Sequence, residues 1–321
     1  MGKNLPGLKR GFHYDPITKD FGIYFNGVQV ESYSEAAGRT YYVNNITGSS
    51  AGGGLSWGDA FDEVSTAVTA SAAHQAAQTS GNLIRNNIVI QGTSTKYTPI
   101  TTMPLYTNMV GVGGNPRGQA FGNARVGSIS TSDGSAGDEA GNYWYNIQFS
   151  AGGSFWAVDL GVSFSSTWDN CTFGCASDNA AATGGFRVVT AGSGSSWIDC
   201  DNIYHNGTPV TGFSIVAGGG SAFNDCRFDH CMFSGSTTGF YNKAYLCGGT
   251  IAQNCTFIGG TYGVNDECTN AGARANITYV GNFARGSTTG MQLDSAGTAR
   301  AIGNWVIDNT TSDWLTTIAK S

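Results

Sequence analysis

The sequence predicts an all-β solenoid, a coil of short parallel strands in which each lap stacks on the one before. Three observations predict it. The first is a phrase of amide or acid, then Cys, then an apolar residue, at Asn170-Cys171, Asp199-Cys200, Asp225-Cys226 and Asn254-Cys255, with cysteines 29, 26 and 29 residues apart. The second is Gly followed by a large apolar residue at Gly185-Phe186, Gly212-Phe213, Gly239-Phe240, Gly263-Val264 and Gly290-Met291, with steps of 27, 27, 24 and 27. The third is texture: Gly, Ser, Thr, Asn and Asp break the chain every few residues. Short alternating runs such as Phe186-Arg187-Val188-Val189 and Phe213-Ser214-Ile215-Val216 remain between the breaks and read as strands.

Two markers on one period define laps of about 24 to 29 residues, and a lap that short buries its apolar face only against its neighbours. Helical repeats need long runs at 3.6 spacing, which the breaks exclude. Residues recurring at one place in successive laps should form interior ladders. Cys171, Cys200, Cys226 and Cys255 are expected to form one, since Cys is small and readily buried.

Composition bounds the function. The chain has 321 residues, 48 of them Gly, and only 12% are charged, against roughly 25% in an average globular protein. An aromatic content of 12% is too high for simple disorder. A net charge of -6 supplies no basic footprint for nucleic acid. No run is long and apolar enough for a membrane span, and Met1 to Arg10 lacks a signal-peptide core, so synthesis in a cytoplasm is expected. Stacked free thiols are then expected rather than disulfides, and the cysteine spacings do not pair as zinc ligands do.

Residues 1–38 stand apart. Gly11 to Asp15, Phe21 to Phe25 and Val28 to Tyr33 alternate as strands, the last two joined by the hairpin signal Asn26-Gly27. A three-stranded meander has too little core to stand alone, so an anchoring or oligomerisation role is expected for it. Residues 39–321 form the coil. Thr40 to Val43 is its first strand, followed by a helix near 57–79 that begins at the capping-box-like Ser56 and Asp59 and carries Phe61, Val64, Ala67, Val68 and Ala72 inward. That helix plugs an end which would otherwise expose apolar interior and open strand edges. Asn86 to Gln91 returns to strand. The laps between 103 and 146 are hard to phase, and Asp313 to Ser321 reads as a short capping helix around Trp314, Leu315 and Ile318.

The run Tyr41-Tyr42-Val43, a Gly/Ser loop, Gly54-Leu55-Ser56-Trp57-Gly58-Asp59-Ala60-Phe61, a helix and Ile88-Val89-Ile90-Gln91-Gly92 resembles the opening of right-handed parallel β-helix proteins of the pectate-lyase-like superfamily. It is most similar to the versions in bacteriophage tailspikes and other virion surface proteins. The resemblance covers roughly residues 40 to 308 and is specific for fold rather than activity. It implies a homotrimer on a virion surface, assembled in the bacterial host cytoplasm, with 1–38 holding other virion proteins. Trp144, Trp156 and Trp305 are then offered as trimer or glycan contacts, and Phe155 as a further trimer contact.

Chemistry has one place to sit. If Cys200 and Cys226 point inward, Asp199, Asp201, Asp225, Arg227 and Asp229 point out on one sheet. Laps about 4.8 Å apart would set Asp199 beside Asp225 at the spacing of retaining glycosidase carboxylates, about 5–5.5 Å. Arg227 beside Asp201 would instead make the patch a solvated ion-pair surface. No cofactor is called for, although such a pair would attract a cation, so calcium is conceivable. Trp197-Ile198-Asp199 resembles a pectate lyase signature, but Cys200 stands where that signature ends in His, and the polygalacturonase motifs are absent. Three functions follow: a structural virion protein, a depolymerase of host surface glycan acting through these carboxylates, and a glycan-binding module without turnover.

Overall fold

A computed structural model describes three strands within residues 11–32 and residues 38–316, apart from 78–83, 94, 115–121, 131–138, 151–154, 175–182, 203–208, 217–221, 269–276, 294–299 and 309–311. The fold is the expected parallel β-helix. From Thr107–Val112 onward each lap contributes a strand to each of three faces, except that the Ser196–Ile198 lap has only Asp201 on the second. The first face has ten parallel strands, from Thr40–Val43, Asn86–Gln91 and Thr107–Val112 through Tyr143–Tyr145, Thr167–Asp169, Ser196–Ile198, Arg227–Asp229, Ile251–Gln253 and Thr278–Val280 to Arg300–Ile302. The second face is two stacks, Ala124–Gly127 to Thr172–Phe173 and Met232–Gly235 to Trp305–Asp308. Asp201 bridges them by pairing with both Thr172 and Met232. The third face runs from Ile129–Ser130 through the long strands Trp156–Phe164 and Gly184–Ser193 to Ser312–Thr316.

The glycine phrase aligns from lap to lap as expected: Phe186, Phe213, Phe240, Val264 and Met291 are successive partners on the third face. Close approach explains the glycines before them. A Cβ at Gly212 would sit 2.5 Å from the Gly239 carbonyl oxygen, and one at Gly239 would sit 2.7 Å from that of Gly263. On the first face Trp144, Trp168, Trp197, Phe228, Ala252 and Tyr279 form the matching inner column. Trp144 stacks on Trp168 at 4.7 Å, and Phe186 meets Trp168 edge-on at 5.0 Å. Trp144 is therefore interior, not a contact surface: its position in the short strand Tyr143–Tyr145 faces the core, and it is fully buried.

The cysteine phrase aligns differently from expectation. Ile198 pairs with Asp229, and Asp229 with Gln253, which sets Cys171, Cys200, Cys231 and Cys255 in one column and leaves Cys226 in another. The reason lies in the corners. Among the described residues, the three-residue strands Tyr143–Tyr145, Thr167–Asp169, Ser196–Ile198, Arg227–Asp229 and Ile251–Gln253 of the first face are bounded at both ends by a residue in the left-handed region. Before first-face strands stand Tyr106, Gly141, Ser165, Gly194, Asp225 and Gly249; after them stand Asn146, Asn170, Asp199, His230, Asn254, Gly281 and Gly303. Asn, Asp and Gly tolerate that conformation best, so both corners select the same letters. A polar or thiol residue follows each of these corners except Asn146, where buried Ile147 stands, because a sharp turn leaves backbone groups needing partners.

At the leading corner the N–H groups of Thr107, Asn142 and Ser166 donate to the side-chain oxygens of Asn142, Ser166 and Ser195 in the next lap. Cys226 belongs to this ladder and its N–H donates to Thr250. At the trailing corner the thiols of Cys171, Cys200 and Cys231 donate back to the carbonyls of Trp144, Trp168 and Trp197. The seven described cysteines are free and buried. Burial pushes the thiols of Cys171 and Cys226 up to about 12. Asn202 does a strand's work across the gap in the second face, donating to the Ser234 carbonyl at 2.7 Å and accepting from the Ser234 N–H at 2.6 Å.

The head of the coil differs in detail. Ser56 and Asp59 open a single 3-10 turn at Trp57–Asp59, and the α-helix is Val64–Ala76, with Glu63 at its start and no side-chain cap. Phe61 is not helical: it bridges to Val43 and is buried against Tyr41. The buried helix face is Val64, Ala67, Val68, Ser71 and His74, leaving Ala72 outside. Ser71 and His74 belong there because buried Asn86 hydrogen-bonds both. Gly11–Tyr14, Phe21–Phe25 and Val28–Ser32 form the expected antiparallel meander. At the other end Ser312–Thr316 is a strand paired to Thr289–Leu293, not a helix, because Met291 continues the third-face register onto Trp314. Ile318 and the Asn26-Gly27 turn lie outside the described residues.

Candidate functional site

The expected carboxylate pair is not formed. Asp199 occupies a trailing corner beside Asn170 and His230, whereas Asp225 occupies a leading corner beside Gly194 and Gly249. A strand lies between the two corners, so the pair that suggested glycosidase chemistry or calcium is separated. Asp201 does not join a solvated patch either: it is 1% exposed, on the second face. Arg227 pairs instead with Asp229, two residues along its own strand, at 2.5 Å.

What the corner does assemble was not read from the sequence. Asp169 and Asp229 share one outward column, with Ile198 between them. Adjacent strands about 4.8 Å apart put these carboxylates on the order of 9–10 Å from each other. Burial raises the Asp169 carboxyl, a hydrogen bond from Tyr143 at 2.9 Å draws it back, and the charge of Asp199 raises it again, leaving it above its ordinary value. Burial would raise Asp229 too, but hydrogen bonds from Gln253 and Arg227 and the charges of Arg227 and His230 hold it below. The Tyr143 hydroxyl is pushed above the usual tyrosine range by burial and by Asp169. His230, at 2.8 Å from Asp229, and Arg227 are exposed members of this group. His205 lies outside the described residues.

A second arrangement stands on the third face. A cleft of about 430 Å³ is lined by Ser128, Ser130, Phe155, Trp156, Asp159, Thr183 and Arg187. Register builds it. Ser130, Asp159 and Arg187 are successive lap partners on the outward side, and Trp156 partners Gly184. Opposite charges at neighbouring positions close into a bidentate pair, Arg187 Nε to Asp159 Oδ1 at 2.8 Å and an Arg187 Nη to Asp159 Oδ2 at 2.6 Å. Such forked pairs fix geometry as well as charge. The Arg187 guanidinium also lies 5.2 Å from the Trp156 ring centre.

Gly184 makes this packing feasible: a Cβ there would fall 2.2 Å from the indole. Phe155, one residue before, is 67% exposed at the cleft mouth, while Trp156 is 9% exposed. Of the aromatic contacts named from sequence, then, Phe155 and Trp156 come together in a cleft, Trp144 is core, and Trp305 stands alone at 70% exposure. The signal for Asp159 and Arg187 was present: extending the glycine phrase back one lap aligns Val158 with Phe186 and sets the acid beside the base. Among the described residues no cluster of three or more His, Cys, Asp or Glu is arranged to hold a metal ion, and no helix is long and apolar enough to cross a membrane.

The chain matches no protein-family model, no curated protein and no solved structure.

Proposed function

We propose that the chain is a structural protein of a bacteriophage particle, a stiff rod displayed on the virion surface for host attachment or particle reinforcement. The observation that carries this reading is the unbroken interior. One core of stacked rings, aliphatic side chains and thiols extends from Tyr41 to Val306, so that bending the rod at any lap would open packed core contacts. A separate antiparallel meander precedes the coil and supplies an anchor to other virion proteins. Side-by-side assembly as a homotrimer suits such a rod, with Ile302 at 59% and Trp305 at 70% exposure offering apolar lateral contacts. Immunogold electron microscopy of phage particles carrying the epitope-tagged chain tests the location. Gold on tails or capsids is expected, and its loss when residues 1–38 are deleted assigns the anchor. Particles without gold, alongside abundant free protein, would refute the reading.

A second reading, depolymerisation of host surface glycan, is favoured by Asp169 and Asp229. Their carboxyls are pushed to opposite sides of the ordinary value, as an acid and a base require, at a separation near the upper end of the roughly 6.5–9.5 Å seen in inverting glycosidases. Release of reducing ends from host polysaccharide, abolished by Asp169→Asn and by Asp229→Asn, would establish it; unchanged polysaccharide length after incubation would exclude it.

A further inference from the structure

We propose that the third-face cleft is a binding site for an uncharged sugar ring, stacked on Phe155 and held through paired hydroxyls by Asp159 and Arg187. Such a site serves the attachment reading above and rests on it only for the source of the sugar.

Three observations carry the assignment. Phe155 exposes most of its ring, yet its backbone is fixed, because the Thr183 N–H donates to its carbonyl at 3.1 Å. An ordered aromatic facing solvent offers a flat apolar platform of the kind that small-molecule sites use to seat a ring. Trp156, the next residue in the chain and also in the lining, is packed against Gly184 and Arg187. The platform therefore needs no rearrangement to bind.

Polar groups converge beside it. The ion pair uses one lone pair on each Asp159 oxygen and two N–H groups of Arg187, leaving the others to a ligand. Adjacent hydroxyls of a sugar match that pattern, one donating to the carboxylate and one accepting from the fork. Ser130 adds a hydroxyl at the rim. The volume falls within the roughly 300–1,000 Å³ of small-ligand sites.

Charge decides the class of sugar. Arg187 is the one cation among the described lining residues, and Asp159 already neutralises it. A uronate or a phosphate would meet the Asp159 carboxylate and would have to break the bidentate pair to be held. An uncharged ring keeps the pair intact.

The test is calorimetric titration and saturation-transfer NMR of the full chain against neutral bacterial oligosaccharides, uronate-containing oligosaccharides and adenosine, at low and high salt. Expected are binding of a neutral member with little salt dependence, about a tenfold loss in Phe155→Ala, a comparable loss in Asp159→Asn, and no change in Trp305→Ala. Circular dichroism checks that each variant is folded, and exposed Phe155 carries the test if Asp159→Asn fails that check. No binding by any neutral member, binding confined to uronates or adenosine, or full affinity in Phe155→Ala would overturn the proposal. A chain that decorates particles but binds no sugar sinks this site alone; one that binds sugar but never decorates particles sinks the virion location alone.

Discussion

Corner residues set the local geometry, and their backbone angles make a sharp expectation. Asn254 sits at φ 53° in the trailing ladder between His230 and Gly281. Asn254→Gly should leave stability within about 0.5 kcal/mol, since Gly enters the left-handed region without penalty. Asn254→Val should cost about 1–2 kcal/mol or more, because a β-branched side chain there crowds the backbone. Urea denaturation of the two variants checks the difference. Asp266 makes a second expectation. It is fully buried, accepting from Tyr279, Asn242 and the Cys268 N–H, and burial lifts its carboxyl to about 6. Its folded value exceeds the unfolded one of about 3.9, so the unfolded chain releases its proton first as pH rises. Stability should fall between about pH 4 and 6 by up to roughly 3 kcal/mol and stay lower above that window. Asp266→Asn should flatten this dependence and raise the melting temperature at neutral pH; a pH profile identical to that of the unmodified chain would contradict the assignment.

Whole strands depend on columns rather than on their own propensities. A three-residue strand such as Thr167–Asp169 has little preference of its own, and its place is fixed by Trp168 packed against Trp144, Phe149, Phe173 and Phe186. Trp168→Ala should cost about 3–5 kcal/mol, while Trp305→Ala, on an exposed ring, should stay within about 0.5 kcal/mol. Thermal unfolding of the pair separates interior from surface tryptophan, a distinction that sequence reading missed when it placed Trp144 with Trp305. The column residues Phe186, Phe213 and Phe240 were legible because Gly before a ring marks one position in the lap. Cys226 was not, because left-handed corners at both ends of a short strand accept the same Asn and Asp and are each followed by a small inward residue. The phrase Asp225-Cys226 therefore looks like Asp199-Cys200 while standing one strand away. The helix start was misread for a related reason: Ser56 and Asp59 satisfy a capping pattern, but one turn of 3-10 structure uses it.

For the molecule as a whole, period was enough for the fold and too coarse for the sites. A lap length known to within a few residues establishes stacking, but a side chain's neighbour across laps depends on a register of single residues. That is why Asp199 and Asp225 were set together wrongly, and why Asp169 with Asp229 emerged only from pairing. The most direct test of the account is that register. Ile198→Cys/Asp229→Cys places two outward thiols on adjacent first-face strands, within the roughly 4.4–6.8 Å Cα separation a disulfide requires. Asp199→Cys/Asp225→Cys places them at opposite corners. Mild oxidation followed by peptide mass mapping should find the first pair bridged and the second not. Bridging of the second pair, with the first left reduced, would contradict the stacked register on which both outward sites depend.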